Sequence, residues 1–324
     1  MSNLKKIQLK KNPLFLLKEG DLVDIIAPGS AAPEAALLAG VEVLKSWGLR
    51  VRYAADFLKP NMYLAHDDKY RFKSFQKALL SSESQAVWCL RGGYGAIRIL
   101  PQIEEMKIPK KQKLLIGFSD VTSIHAVINQ KWKWPSLHAS LIDRLGQVNF
   151  SQENKNELQA SLMNLEYSAQ FKGLTPLNKA ALKKKKIVSQ VVGGNLMVAT
   201  STLGTPSQLK SRKKILFFEE ISERAYRIDR CLQQLKQARI FDEAEAVIFG
   251  DFYQCLERDH KDYVTDTLIE FFAQIKVPAF KGLQVGHADV QRPLYFKSPT
   301  VLTCGEQPEM INYSPNYEIL KPRT

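Results

Sequence analysis

The chain has 324 residues, 45% hydrophobic and 24% charged, a composition that excludes a disordered or fibrous protein and suits about two domains or one large one. Lys and Arg outnumber Asp and Glu by 46 to 33, a formal charge of +13, which favours anionic partners, nucleic acid or an acidic small substrate, and is silent on fold. Four cysteines, none in a CxxC pair, exclude a disulfide scaffold and a zinc spacing and read as reduced packing residues of a cytosolic protein.

Residues 1–18 carry basic side chains around an apolar stretch at 14–17, shorter than the about 7–15 residues of a signal-peptide core. No segment approaches the roughly 18–20 apolar residues of a membrane span, so the expectation is a soluble cytoplasmic protein with no membrane partner. The apolar run 22–27 predicts a strand, stopped by Pro28-Gly29-Ser30. Residues 33–47 predict a helix, with Pro33 in its first turn and Gly48 as C-terminal cap. Asp67 is placed to cap a helix running through 73–80. A strand at 86–90, a glycine-rich loop, a short helix, a strand at 113–117 and a helix from 120 to about 131 follow. Strand–helix alternation of this kind implies a parallel sheet with helices on its faces. A helix at 151–165 leads to a polar stretch ending in Lys183-Lys184-Lys185-Lys186, which reads as a solvated linker over 166–186, with nucleic-acid contact as the alternative. Beyond it, strands at 215–218, 246–249 and 300–303 mix with helices at 228–240 and 263–275. The expected organisation is α/β: an N-terminal parallel-sheet domain over 1–165 and a second, more β-rich α+β domain over 187–324.

Three places in this frame can carry chemistry. Gly117-Phe118-Ser119-Asp120 lies between an apolar strand and a helix, the context of a nucleophile elbow, where a sharp turn exposes the serine oxygen and aims the next N–H groups at a developing oxyanion. The usual glycine two residues after the serine is Val121 here, and Ser119 or Asp120 as a plain N-cap is the simpler alternative. Arg91-Gly92-Gly93-Tyr94-Gly95 also sits between strand and helix, and its backbone N–H groups could bind phosphate or an oxyanion, or only make a turn. It is neither a dinucleotide fingerprint nor a Walker loop. A nucleophilic serine also needs a base and a group that orients it. Of five histidines, His287 ends an apolar run beside Gly286, His125 reads as packing on the helix after Ser119, and His66 and His260 lie in polar surroundings. Glu219 and Glu220 end the run 215–218 and are candidate orienting acids. The basic runs carry no interleaved aromatics and no nucleic-acid-binding motif, and nothing in the sequence calls for a cofactor or a metal.

Together these segments resemble the LD-carboxypeptidase family of serine peptidases, the muramoyltetrapeptide carboxypeptidases, which also includes microcin-immunity carboxypeptidases. The resemblance rests on Gly20-Asp21 with Ile26-Ala27-Pro28-Gly29-Ser30, Arg91 to Ala96 with Arg98 and Leu100-Pro101, and Ile116 to Asp120. It continues with Gly193-Gly194-Asn195-Leu196, Leu203-Gly204-Thr205-Pro206, Leu216 to Glu220, Tyr226-Arg227-Ile228-Asp229-Arg230 and Gly286-His287, in family order from about residue 20 to 296. It implies Ser119 as nucleophile, Glu219 as orienting acid, His287 as base, the N–H groups of Gly93 and Asp120 as oxyanion hole, and Arg91, Tyr94 and Asn195 as substrate contacts. It also implies an active site between two domains, a homodimer, no metal or other cofactor, and a murein tetrapeptide substrate that loses its terminal D-alanine in peptidoglycan recycling. A microcin-type or other acyl-peptide is the alternative substrate, and a basic nucleic-acid-binding protein the rival of another class. Two departures stand out: Glu219-Glu220 where the family usually has Glu-Asp, and Pro293-Leu294-Tyr295 where it has Pro-Leu-Gly.

Overall fold

The computed structural model describes residues 6–11, 15–54, 56 and 59–320; the outermost residues of both expected domains, 1–5 and 321–324, and residue 14 of the short apolar stretch lie outside the described residues. Five parallel strands, Leu22–Ile26, Arg50–Arg52, Ser84–Cys89, Leu114–Gly117 and Ser136–His138, form the first sheet. In space they run second, first, third, fourth, fifth. The order reverses between Leu22–Ile26 and Ser84–Cys89, the switch point at whose carboxyl ends sheets of this kind place their ligands. Pro28-Gly29-Ser30 and Arg91-Gly92-Gly93 leave their strands at this point, and the Ser30 N–H donates to Gly92 O at 3.0 Å. Both faces of the sheet are covered, so its strands read as continuous apolar runs rather than alternations; all of Leu114–Gly117 is buried. A sixth strand from far along the chain, Leu294–Phe296, pairs antiparallel with Ser136–His138 and closes that edge. Tyr295, which replaces the family glycine, is buried there and donates its hydroxyl to Ser161 O at 2.6 Å.

The second sheet has eight strands, in the order Ser168–Phe171, Glu309–Tyr313, Pro299–Cys304, Lys185–Asn195, Ile215–Ile221, Ala246–Tyr253, Ala279–Lys281, Thr175–Pro176. Lys185–Asn195 is its spine. Residues 185–190 pair antiparallel with Pro299–Cys304, while 191–195 pair parallel with Ile215–Ile221. One flank is thus antiparallel, and the other a parallel unit crossed by helices Ala225–Gln237 and Val264–Ala273 and edged by the antiparallel Thr175–Pro176. The molecule is α/β with a second, more β-rich part, as the sequence implies. The stretch 166–186 is more than a connector: it supplies Ser168–Phe171 at one edge of this sheet and Thr175–Pro176 at the other, followed by helix Lys179–Leu182. Strands this short carry almost no pattern, and only Ala169 and Phe171 betray an alternation. The lysines 183–186 themselves are exposed. A third, two-stranded sheet pairs Ile7–Leu9 with Tyr317–Ile319.

The helix expected at 33–47 is Glu34–Ser46, with Pro33 one place earlier than expected, at the N-cap. Asp67 caps helix Asp68–Leu80, accepting the Tyr70 N–H at 2.7 Å. The helix expected from 120 opens as one 3₁₀ turn, Ser119–Val121, before Thr122–Gln130. One hydrophobic cluster joins the two large sheets, with Trp88 and Ile116 from the first and Phe217 and Ile248 from the second. Burying that shared surface fixes the halves against each other. Among the described residues no helix is long and apolar enough to cross a membrane.

Candidate active site

The carboxyl ends of the two sets of parallel strands meet in one place. From the first sheet, the buried strand Leu114–Gly117 ends in Phe118 and Ser119, and Ser119 has φ +64°. A non-glycine residue in the left-handed region costs about 1–3 kcal/mol and persists only where its surroundings impose it. Here the neighbouring loop imposes it. A side-chain carbon on Gly92 would stand 2.8 Å from Ser119 Cβ, 3.0 Å from its Oγ and 3.3 Å from the Asp120 nitrogen. Only glycine allows that approach. Gly93 has φ +76°, and a carbon added there would strike Ser30 Oγ at 2.3 Å; the same Oγ accepts the Tyr94 N–H at 3.0 Å. The Asp120 side chain turns away and caps helix Ala96–Glu105, its Oδ2 accepting the Ala96 N–H at 2.8 Å. Burial pushes this carboxyl up to about 6, against the opposing pull of the Ala96 amide and Arg71. Arg71, buried, donates to Pro28 O and to Gly95 O and so ties both loops to helix Asp68–Leu80.

From the second sheet come an acid and a base 68 residues apart: His287 Nδ1 and Glu219 Oε2 are 2.6 Å apart, both residues buried. The pairing of Ile215–Ile221 with Ala246–Tyr253 shifts register here, from Phe218 opposite Phe249 to Glu220 opposite Phe252. Gly250 and Asp251 therefore stand against Glu219 alone, a β-bulge of the kind that re-aims side chains beside active sites. Glu220 points elsewhere: it accepts Asn195 Nδ2 at 2.7 Å, the Met197 N–H at 2.8 Å and the Ile221 N–H at 2.9 Å. Burial, and then the neighbouring Glu219, push its carboxyl up to about 7.

Two contacts join the halves at this point. The Phe118 ring lies against the His287 ring with centroids 4.6 Å apart, so the residue preceding Ser119 packs on the histidine. The Asn195 N–H donates to Thr122 Oγ1 at 2.9 Å, at the start of the helix that follows Ser119. The structure thus brings Ser119, Glu219 and His287 to one region, with the Gly92-Gly93 backbone and the Asp120 amide alongside.

The other expected site residues divide. Tyr94 is exposed and meets Tyr63 edge-on at 5.6 Å. Arg91 donates to Ala31 O at 3.2 Å and stands 3.7 Å from Asp143. Asn195, expected as a substrate contact, is buried with both ends of its amide in use, Nδ2 on Glu220 and Oδ1 under the Val198 N–H. Its place is to cap helix Leu196–Ser201 and hold Glu220. His125 is fully buried with Nε2 2.8 Å from Gly117 O, and burial pushes it down to about 4. His138, which the sequence reading left without a place, sits among Phe118, Phe217 and Phe296, held neutral by burial and by its histidine neighbours. Among the described residues no group of three or more His, Cys, Asp or Glu is placed to hold a metal ion. Sequence reasoning missed Asp251, although an acid closing the apolar strand 246–249 carries the same signal that singled out Glu219.

Residues 23–139 match the LD-carboxypeptidase N-terminal domain and residues 188–302 the LD-carboxypeptidase C-terminal domain. The chain is 31% identical to a putative carboxypeptidase of Rickettsia conorii over 278 residues, 85% of this chain and 86% of that one. It is 31% identical to a probable murein peptide carboxypeptidase of Bacillus subtilis over 277 residues, 84% and 85% of the two chains. In fold it is similar to the crystal structure of a muramoyltetrapeptide carboxypeptidase from Oxalobacter formigenes, with TM-score 0.78, 24% identity, and 94% of this chain and 100% of that one covered.

Proposed function

The chain belongs to the LD-carboxypeptidase family, and from that premise we propose that it is a serine carboxypeptidase. Its substrate is a murein tetrapeptide, cut between the L-centre of the diamino acid and the terminal D-alanine. The observation that carries this is the 2.6 Å contact of His287 with Glu219 against the ring of Phe118, beside a serine in a strained turn. With Nδ1 bonded to Glu219, the imidazole keeps Nε2 for the serine proton. Ser119 Oγ attacks the carbonyl carbon as His287 takes its proton, and Glu219 fixes the tautomer and stabilises the imidazolium that forms. The Gly93 and Asp120 N–H groups receive the oxyanion. His287 then protonates the departing amine of D-alanine, and water, activated by the same histidine, hydrolyses the acyl-enzyme. Murein peptides carry several carboxylates, which suits a chain of charge +13. The same reading makes it a cytoplasmic homodimer of peptidoglycan recycling, without a nucleic-acid partner.

Mass spectrometry of a muropeptide mixture before and after incubation tests the proposal. Tetrapeptides should convert to tripeptides with release of free D-alanine. An unchanged mixture, alongside hydrolysis of a microcin-type aminoacyl conjugate, would move the substrate to the other branch of the family; salt-sensitive retention of random DNA with no hydrolysis would sink the enzyme reading.

A further inference from the structure

Glu219 is not alone against His287. Across the bulge, Gly250 and Asp251 face Glu219, and Gly286 is wedged between the two acids: a carbon added to it would lie 3.1 Å from Asp251 Cβ, 3.2 Å from Glu219 Cβ and 3.2 Å from Glu219 Oε2. The Asp251 N–H donates to Val285 O at 3.0 Å, and its carboxylate takes the Ala288 N–H. Asp251 therefore grips both sides of the Gly286-His287 turn. One oxygen of each acid, Asp251 Oδ2 and Glu219 Oε1, is buried without a hydrogen-bond partner. A buried carboxylate with an unused oxygen is costly, and proteins keep such groups where the charge serves a neighbour.

We propose that Asp251 is a second carboxylate of the catalytic cluster, a positioning residue that holds the His287 turn and adds its negative charge to that of Glu219 in stabilising the imidazolium. The inference deepens the serine-carboxypeptidase reading above and rests on it. The charged and titratable groups around Asp251 are Glu219 from the adjacent strand and His287 from the loop it grips. The Arg144 cation, on helix Ile142–Leu145, acts on Tyr253 and Asp289, which lie two residues beyond Asp251 and His287. Burial, with the charge of Glu219, pushes the Asp251 carboxyl up to about 6, opposed by the Ala288 amide and His287. Above that pH it is ionised, and a carboxylate near an imidazole favours the charged ring.

Asp251→Asn keeps the shape and an acceptor for the Ala288 N–H and removes only the charge. The acid limb of kcat/KM should move down by about one pH unit, because a less basic imidazole stays neutral to lower pH. At pH 8 kcat should fall about tenfold through a weaker imidazolium, with KM within about twofold. A purely structural role would scale the whole profile and leave the limb where it was, and that result overturns the proposal. The His287 ring titration, followed by NMR in the wild-type and Asp251→Asn proteins and assigned with His287→Gln, needs no substrate and should shift in the same direction. A shift there with no tetrapeptide turnover by the wild-type chain would uphold the role of Asp251 and refute the substrate; an unmoved titration refutes Asp251. If circular dichroism shows Asp251→Asn unfolded, Asp251→Ser carries the same expectations.

Discussion

The two halves of the site are built by different means. The serine half is backbone work: Ser119 is held at φ +64° because Gly92, from the next loop, occupies the space on its other side. The acid–base half is side-chain work: Glu219 and His287 are buried, bonded to each other, and separated by 68 residues of chain. A turn imposed by sterics survives the loss of the side chain it presents. A buried hydrogen-bonded dyad does not survive the loss of either member unchanged, since the partner is left without its bond. The sharpest test of this contrast is also the largest effect. Ser119→Ala should fold with its melting temperature intact or slightly changed, since the methyl keeps the contacts of Cβ, while D-alanine release falls by about 10⁶-fold. Retained turnover in that purified variant would remove Ser119 from the mechanism.

On the other half, Glu219→Gln should cost about 10⁴-fold in kcat, the scale for an orienting acid whose loss leaves the imidazole in the wrong tautomer. Unlike Ser119→Ala it should also lower thermal stability, because the buried His287 Nδ1 exchanges a carboxylate partner for a weaker neutral amide. Kinetics and calorimetry on the same preparation separate the two halves: a variant with full stability and no activity belongs to the first, one that loses both to the second.

The contrast also explains what the sequence disclosed. The Ser119 turn was legible because strand, turn and helix follow one another within a dozen residues, and periodicity reports such local order. The fourfold apolar run before Glu219 located a strand but not its inward face, since a strand buried on both sides does not alternate. That Glu219 rather than Glu220 meets His287 came from the family resemblance, and the physical reason, a bulge opposite Glu219, leaves no mark in composition. Asn195 shows the opposite case. It was named as a candidate substrate contact, and its buried amide caps a helix and holds Glu220. The edge strands Ser168–Phe171 and Thr175–Pro176 were hidden in a polar stretch read as linker, because two to four residues at a sheet edge need little apolar pattern to pair.

A smaller effect probes the serine half through its glycine. Gly92→Ala places a methyl 2.8 Å from Ser119 Cβ, so the turn or the loop must move by a few tenths of an ångström. A misplacement of about 1 Å costs about 100-fold, and this smaller one should cost about tenfold. The loss should appear in kcat with little change in KM, and the variant should melt close to the wild type. If kcat is unaffected, the close approach of the two loops does not set the geometry of the nucleophile, and the steric account of its strained backbone is wrong.

The finest distinction is between the adjacent acids, and Glu220→Gln separates them without destroying activity. Glu220 touches Asn195, Met197 and Ile221 but not His287, so kcat at pH 8 should stay within about tenfold of the wild type, against the about 10⁴-fold cost at Glu219. Stability should respond instead. The Glu220 carboxyl, ordinarily at 4.5, is raised to about 7 by burial, so the folded chain keeps a proton there that the unfolded chain releases as pH rises from about 4.5. Stability is therefore lost progressively as pH climbs from the unfolded value to the folded one. Glutamine cannot titrate, and its variant lacks that part of the slope. Its amide oxygen can still accept from Asn195 and Ile221, but its NH₂ faces the Met197 N–H, at a cost of about 1 kcal/mol. The variant should thus melt below the wild type at pH 5, with the gap narrowing toward pH 8. The Asp120, Asp143 and Asp251 carboxyls, each raised to about 6, titrate in both proteins and cancel in the difference. A gap that stays constant across the range would show that Glu220 is ionised in the fold throughout. An inactive Glu220→Gln would show that His287 takes its support from the other acid, and the bulge would then have to aim Glu220, not Glu219, into the site.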